Sequence, residues 1–232
     1  MASQQREISV SEFFSRNRHL LGFDNPRRAL LTGIKEAVDN SLDACEEAGF
    51  LPEIKVGIKQ IAEDRYLIRV EDNGPGIVKS QVPNIFGKLL YGSKFHRLKM
   101  SRGQQGIGIS AASMYGQLTT GKPTQIISRT NARRPAHLYE IQVNTTRNKP
   151  EIVRDEDVEW DSPRGTVVEI EMEARYLRGR QSVDEYLRQT ALANPHLRLI
   201  YDAPDGSQTP SATGNARSRT GRPNSRKRYG AV

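Results

Sequence analysis

The clearest hydrophobic pattern in the chain is helical and covers residues 26–48. Asn25 and Pro26 supply a cap and a first-turn proline for it, and Gly49 follows its end. The pattern predicts a long helix with one buried face. The residues of that face are Ala29, Leu30, Ile34, Ala37, Val38 and Leu42.

Shorter patterns of helical and alternating type surround this helix. Ser9 and Glu12 form a capping box, and helices are predicted over residues 11–20, 82–90, 109–118 and 182–193. Strands are predicted over residues 53–61, 65–72, 126–128, 137–144, 165–172 and 197–202, the first four as two hairpins. This order of elements predicts an α+β fold, a two-layer α/β sandwich in which helices pack on one face of a mixed, largely antiparallel sheet.

The length and composition are those of one large, polar domain. The chain has 232 residues, of which 27% are charged, and it is long enough to bury a core without disulfides or metal. Cys45 is the only cysteine, which excludes a disulfide framework and a cysteine-ligated zinc site. Because the N-terminus has no apolar signal core and no apolar run approaches ~18 residues, we expect a cytoplasmic protein.

The net charge of +8 is distributed unevenly along the chain. Residues 207–232 contain six basic and no acidic residues, whereas the remainder contains 29 basic and 27 acidic residues. This tail is poor in large apolar residues, so we expect it to be disordered and to bind nucleic acid at most without specificity. Its basic residues are Arg217, Arg219, Arg222, Arg226, Lys227 and Arg228.

Three polar side chains share one face of the long predicted helix. Glu36, Asn40 and Asp43 are spaced by four and three residues, which places them on the same side. A solvated stripe is the ordinary interpretation of such a pattern. The apolar residues around this stripe favour a functional interpretation, and both stay open from these residues alone.

Asp72 comes directly after a predicted strand and opens the segment Asp-Asn-Gly-Pro-Gly. A simple turn explains this composition. A binding site would also need a carboxylate at a strand end and glycines that let a planar ligand approach the backbone. In that case Asp72 could accept a hydrogen bond from the exocyclic amine of a base.

A glycine-rich segment, residues 103–110, opens the predicted helix that follows it. Backbone N–H groups in such a loop, together with a helix N-terminus, can bind a chain of phosphates. A glycine-rich loop is weak evidence on its own. Its position after the other two segments makes the combination specific.

In this order the segments resemble the ATPase family of DNA gyrase, ninety-kilodalton heat-shock chaperones, histidine kinases and mismatch-repair ATPases. The shared motifs are E-x-x-x-N-x-x-D-A at 36–44, D-x-G-x-G at 72–76 and G-x-x-G-x-G at 103–108, and Gly165-Thr166 resembles a fourth element. Segments within residues 9–206, such as NPHLRLIYDAPDG, are further similar to the B subunits of the DNA topoisomerase VI family. The fold that this implies is the Bergerat ATPase fold.

The resemblance also implies roles for individual residues. Glu36 would be the general base that activates water, and Asn40 would hold Mg²⁺. Asp72 would bind the adenine amine, with support from Thr166. The other residues implied to adjoin bound ATP are Gly74 and Gly76 beside the base, and Ser93, Lys94, Gly103, Gln104, Gln105, Gly106, Ile107, Gly108, Ile109 and Ser110 along the phosphates.

At the level of function, the resemblance implies an ATP-binding and ATP-hydrolysing B subunit of a type IIB DNA topoisomerase, with ATP and Mg²⁺ as cofactors. Its partners would be the topoisomerase VI A subunit, double-stranded DNA and a second copy of the B subunit. ATP-driven homodimerisation would gate DNA strand passage and relax supercoiled DNA. The implied boundaries are an N-terminal arm and short helix at 1–24, an ATP-binding domain at 25–206 and the basic tail at 207–232.

Full-length members of that family continue into a transducer domain, whose lysine reaches the γ-phosphate. Nothing after Gly206 is similar to this domain, so we expect a chain truncated before the transducer that binds ATP with Mg²⁺ but turns it over slowly. Two alternatives stay open. The chain could be a non-catalytic ATP- or DNA-binding remnant, or another ATPase of the same superfamily.

Overall fold

The computed structural model describes residues 9–89, 91 and 107–209, and its strands form one mixed sheet. They are β1 (Glu53–Ala62), β2 (Arg65–Asp72), β3 (Thr124–Arg129), β4 (Ala136–Asn144), β5 (Lys149–Val158), β6 (Gly165–Glu173), β7 (Arg198–Asp202) and β8 (Gln208–Thr209). Their order across the sheet is β5-β4-β3-β6-β2-β1-β7-β8. Only β1 and β7 pair in parallel, and the other neighbours are antiparallel.

The helices of the described segments form a layer against this sheet. They are α1 (Val10–Leu21), α2 (Pro26–Glu47), α3 (Val82–Gly87), α4 (Gly108–Thr120) and α5 (Val183–Ala193), with a 3-10 turn at Lys79–Gln81. One helical layer on a mixed, largely antiparallel sheet confirms the predicted fold class. Among residues 9–89, 91 and 107–209, every helix is too short or too polar to span a lipid bilayer.

Side-chain caps begin the helices where the sequence predicts them. Ser9 Oγ accepts a hydrogen bond from the backbone N–H of Glu12 at 3.2 Å, which is the serine half of a capping box, while the Glu12 carboxylate pairs with Arg16 at 2.6 Å. Asn25 Oδ1 accepts one from the backbone N–H of Arg28 at 2.9 Å, and Pro26 follows as the first residue of α2. These caps satisfy backbone donors that have no partner inside the helix.

The core lies between α2, α4 and the inner face of the sheet. The apolar face predicted for α2 is buried as expected, and it packs toward β2 and β6. Each fully buried leucine or isoleucine contributes about 1.5–3 kcal/mol relative to an exposed one. Core residues less than 2% exposed include Leu30, Ile34, Leu42, Ile68, Met114, Ile126, Ile170 and Met172.

The outer face of the sheet carries cross-strand ion pairs on its central strands. Arg69 on β2 pairs with Glu169 on β6 and, at 3.0 Å, with Glu71. Lys55 on β1 also pairs with Glu71, at 2.9 Å. Charges opposite one another on neighbouring strands stabilise pairing modestly and keep this face in water. This charged central part of the sheet faces away from the helices.

Two strands were not predicted. The side chains of β5 are mostly exposed, and its sequence includes three consecutive acidic residues at 155–157. As an edge strand it pairs only with β4, so it has no alternation of apolar and polar residues to detect. The short strand β8 lies inside the segment predicted as a disordered tail from residue 207, so the sheet extends to Thr209.

Candidate functional site

The carboxylate of Asp72, the last residue of β2, is held by donors from three segments of the chain. Its Oδ1 atom accepts hydrogen bonds from the backbone N–H groups of Gly74, at 2.8 Å, and Thr166, at 3.2 Å. Its Oδ2 atom accepts one from Ser41 Oγ at 3.0 Å. The side chain is 8% exposed. Helix α2 and strands β2 and β6 therefore meet at this carboxylate.

The environment of Asp72 leaves it ionised and with one acceptor position open. Burial raises its pKa to about 6, although the hydrogen bonds from Gly74, Ser41 and Thr166 act in the opposite direction. The group is therefore mostly charged at neutral pH. An ionised carboxylate offers about four acceptor positions, and the described residues occupy three of them. The open position on Oδ2 suits an N–H donor.

Thr166 contacts Asp72 through its backbone. The two residues are opposite each other in the antiparallel pair of β2 and β6, and the threonine side chain is buried. The association of Thr166 with Asp72 is thus present in the structure. Its role toward a ligand stays a prediction.

Close approaches of the chain to itself account for three glycines around Asp72. A Cβ on Gly165, whose φ is +130°, would lie 2.0 Å from the backbone oxygen of Asp72. On Gly76, whose φ is +70°, it would lie 2.1 Å from the backbone oxygen of Arg129. On Gly74 it would lie 2.9 Å from Asp72 Oδ1. These close contacts within the chain are by themselves a reason for glycine at the three positions. The predicted role of Gly74 and Gly76 in leaving space for a base is a separate matter.

Two buried serines support the site and were not predicted. Ser41 on α2 donates to Asp72, and Ser128 on β3 accepts a hydrogen bond from the backbone N–H of Ile77 at 2.7 Å. Ser128 thereby attaches the loop after β2 to the sheet. Serine is mostly an exposed residue, so neither position had a signal in the sequence beyond its place next to a predicted motif.

Glu36, Asn40 and Asp43 lie along one side of α2, as their spacing predicts. Asp43 is buried, and Glu36 and Asn40 are half-buried. All three interact with other groups of the protein. Because Ser41 on the same helix contacts Asp72, α2 connects the Asp72 carboxylate to this polar face.

The carboxylate of Glu36 lies against Gly108, the first residue of α4. A Cβ on Gly108 would lie 1.8 Å from Glu36 Oε2. The backbone N–H groups and the dipole at a helix N-terminus favour negative charge, and the N-cap residue Ile107 makes no side-chain hydrogen bond there. Ile109 and Ser110 are buried, and Ser110 Oγ donates to the backbone oxygen of Ile107 at 2.9 Å.

The predicted site residues therefore fall into two groups. Gly74 and Thr166 contact the carboxylate of Asp72, Gly76 lies in the loop that follows Asp72, and Glu36 meets the start of α4 at Gly108. The other predicted phosphate-side residues lie outside the described residues. They are Ser93, Lys94, Gly103, Gln104, Gln105 and Gly106.

Metal-ligand clusters of the usual protein type are absent from the part of the chain that the structure describes. No group of three or more His, Cys, Asp or Glu side chains there could hold a metal ion. A Mg²⁺ ion bound mainly through phosphate oxygens needs only one or two protein oxygens. The half-buried amide of Asn40 is compatible with that second kind of site.

The fold and the site define an ATPase of a known family. Residues 25–175 match the model of the family described as histidine kinase-, DNA gyrase B-, and HSP90-like ATPase, and the chain belongs to this family. The sequence resemblance and the Bergerat-type fold that it implied are thereby confirmed.

Among curated relatives, the chain is similar to proteins named as the B subunit of type 2 DNA topoisomerase 6. It is 58% identical to that of Methanococcoides burtonii over 209 residues, which cover 90% of this chain and 34% of the relative. It is 54% identical to that of Archaeoglobus fulgidus over 89% of this chain and 34% of the relative. The chain thus spans about a third of the length of these relatives.

A solved structure described as the N-terminal domain of a DNA repair protein is also similar, at 21% identity and a TM-score of 0.46. The match covers 78% of this chain and 50% of that one.

Proposed function

We propose that this chain is the ATP-binding and ATP-hydrolysing part of the B subunit of a type IIB DNA topoisomerase. The observation that carries the proposal is the buried Asp72 carboxylate, held by three hydrogen bonds, with an acceptor position on Oδ2 that no described residue occupies. The family to which the chain belongs indicates that the nucleotide is ATP. The names of its relatives indicate that the larger enzyme is a type 2 DNA topoisomerase.

The adenine would bind at Asp72. Its exocyclic amine is an N–H donor, which the open position on Oδ2 can accept. Ser41, Gly74 and Thr166 fix the carboxylate from two sides, so the acceptor needs no reorientation when the base arrives. A buried acceptor that is already oriented discriminates strongly against bases without a donor at that position.

The phosphates would bind toward the N-terminus of α4. Helix N-termini bind phosphate because their backbone N–H groups are unpaired and the helix dipole is positive there. Glu36 lies at this terminus, beside Gly108. From this position its carboxylate can accept a proton from the water that attacks the γ-phosphate.

Asn40 would hold Mg²⁺ through its side-chain oxygen. The residue lies one helical turn after Glu36 on the same side of α2, and a neutral amide oxygen is a suitable donor for a hard cation. When bound, Mg²⁺ neutralises charge on the phosphate oxygens. Asn40 orients that ion relative to the carboxylate of Glu36.

The partners follow from the relatives and are part of the proposal. We infer that the chain acts with a topoisomerase VI A subunit on double-stranded DNA in the cytoplasm. ATP would join two B subunits into a homodimer that gates strand passage. The match covers 34% of the relative, so the A-subunit partnership, dimerisation and strand passage are proposed for the whole B subunit.

The test is equilibrium binding of a non-hydrolysable ATP analogue with Mg²⁺. The parent chain is compared with Asp72→Ala and Asn40→Ala, and with Asp64→Ala as a control at an exposed carboxylate whose side chain pairs with Arg175. We expect binding by the parent and the control and a loss of at least tenfold in the two site variants. Equal affinity in all four proteins, or no binding by the parent, would contradict the proposal.

Hydrolysis is tested separately from binding. Glu36→Gln keeps the shape of the side chain and removes its charge, so we expect it to bind the analogue and to lose ATP turnover. Turnover that persists in this variant would exclude Glu36 as the general base.

A further inference from the structure

A tyrosine of α5 forms a hydrogen bond to α2 beside the candidate catalytic residues. Tyr186 Oη donates a hydrogen bond to Asp39 Oδ1 at 2.8 Å, between residues 147 positions apart in the chain. Asp39 is a buried residue of α2, and Tyr186 is half-buried on α5. The bond therefore joins two helices at one defined point.

Asp39 is placed next to both residues proposed to act on the phosphates. At about 100° per residue, Glu36 lies between Asn40, about 40° away, and Asp39, about 60° away, around the α2 axis. Asp39 also immediately precedes Asn40 in the chain. A hydrogen bond to the side chain of Asp39 therefore restricts the position of the turn that carries Glu36 and Asn40.

Helix α5, which carries Tyr186, is itself anchored by an N-cap and by a buried leucine. Ser182 Oγ caps α5 by accepting from the backbone N–H of Glu185 at 3.2 Å, and Leu187 is 2% exposed in the core. Burial, followed by the carboxylate of Asp39, raises the pKa of Tyr186, so its hydroxyl keeps the proton that it donates.

We propose that Tyr186 is a positioning residue that, through Asp39, holds the α2 turn carrying Glu36 and Asn40 in place for the nucleotide phosphates and Mg²⁺. The inference rests on the proposed function. Under this inference, α5 stabilises the active site through Tyr186, although none of its residues is proposed to contact the nucleotide. The expected consequence is that loss of the Tyr186 hydroxyl affects the phosphate end of the site and spares the Asp72 end.

The experiment compares Tyr186→Phe with Tyr176→Phe. Tyr176 Oη donates a hydrogen bond to Asp184 Oδ1 on α5 at 2.7 Å, so each variant removes a tyrosine–aspartate hydrogen bond that involves α5. Only the bond of Tyr186 reaches α2. The first measurement is the affinity for ADP without Mg²⁺, and the second is the gain in affinity for a non-hydrolysable ATP analogue when Mg²⁺ is added.

We expect Tyr186→Phe to reduce the gain from Mg²⁺ by about threefold to tenfold, the equivalent of one lost hydrogen bond. Its affinity for ADP without Mg²⁺ should stay within about twofold of the parent, since the Tyr186–Asp39 hydrogen bond does not involve the Asp72 carboxylate or any of its three donors. Tyr176→Phe should change neither quantity.

A double-mutant cycle with Asp39→Ala separates the bond from general loosening of the fold. If the two residues act through their hydrogen bond, the double variant should be no worse than the more affected single variant. Additive effects would overturn the inference, and so would an unchanged gain from Mg²⁺ in Tyr186→Phe.

Failure of the proposed function has a different signature. A parent chain that binds no nucleotide under any condition overturns the function and the inference together. If Mg²⁺ raises the affinity of the parent and of Tyr186→Phe for the ATP analogue by the same factor, the inference is wrong and the proposed function stands.

Discussion

Gly108 at the start of α4 lies directly against the carboxylate of Glu36 on α2. A Cβ on Gly108 would come within 1.8 Å of Glu36 Oε2 and 2.0 Å of its Cδ atom. The Glu36 side chain can therefore occupy this position only because residue 108 is glycine. The proposed general base is thereby fixed relative to the helix that would bind the phosphates.

Gly108→Ala should displace the Glu36 carboxylate or move the first turn of α4. We expect ATP turnover to fall at least tenfold and the free energy of unfolding to fall by about 1–3 kcal/mol, which is typical of overpacking at a tight contact. Turnover assays and denaturant unfolding measure the two effects.

Gly57→Ala is the matched control for that substitution. The nearest atom to a Cβ at Gly57 is the Cβ of Arg69, at an ordinary distance of 3.9 Å. We expect this variant to be at least as stable as the parent and to keep its turnover, since alanine lowers the entropy of the unfolded chain. An equal loss of turnover and stability in both variants would show that the contact between Gly108 and Glu36 is not the cause of the effect.

Asp72→Asn should change the pH dependence of stability. Because burial raises the folded-state pKa of Asp72 from 3.8 to about 6, this group stabilises the folded chain in acid, and the contribution is lost as the pH rises through about 6. Relative to Asp72→Asn, the parent should therefore lose about 1 kcal/mol of unfolding free energy between pH 5 and pH 8. Denaturant unfolding of both proteins at the two pH values gives this difference, and a constant difference would mean that the pKa is not raised.

Ser41→Ala should weaken nucleotide binding through Asp72. The variant loses the hydroxyl that donates to Asp72 Oδ2, so the carboxylate becomes harder to ionise and less well oriented. We expect the affinity for an ATP analogue to fall about threefold to tenfold at pH 7, the equivalent of one hydrogen bond to a charged group.

Ser113→Ala is the control for the Ser41 experiment. The Ser113 hydroxyl on α4 is also buried and has no hydrogen-bond partner among the described residues. Its removal should leave nucleotide affinity unchanged and the chain as stable as before or slightly more so. Similar losses at both serines would point to general loosening of the helical layer.

Cutting the chain after Thr209 should separate DNA binding from ATP binding. The removed segment carries the six basic tail residues and none of the proposed ATP site residues. If these cations contact phosphates, the slope of log affinity against log salt concentration should become shallower by about 5 units, since each neutralised phosphate contributes about 0.9. Affinity for the ATP analogue should be unchanged, and replacing the six residues by glutamine should reproduce the effect of the cut.

Local chemistry explains why many elements of the fold could be predicted. The Ser9 cap of α1 and the Asn25-Pro26 start of α2 depend on neighbouring residues only, and both occur in the structure. The two hairpins β1–β2 and β3–β4 likewise follow from alternation and short connections. Strand β5 lacked such a signal because a charged edge strand buries little on either face.

The sequence by itself determined the family of this protein and the identity of the candidate site residues, because the motifs around Glu36, Asp72 and Gly108 lie in short segments with fixed spacing. Only the tertiary structure decided which other groups act on them. Ser41 reaches Asp72 across 31 positions, and Tyr186 reaches Asp39 across 147. Such contacts depend on how α2 packs against the sheet and against α5, and no local pattern of residues encodes the distance between two packed elements.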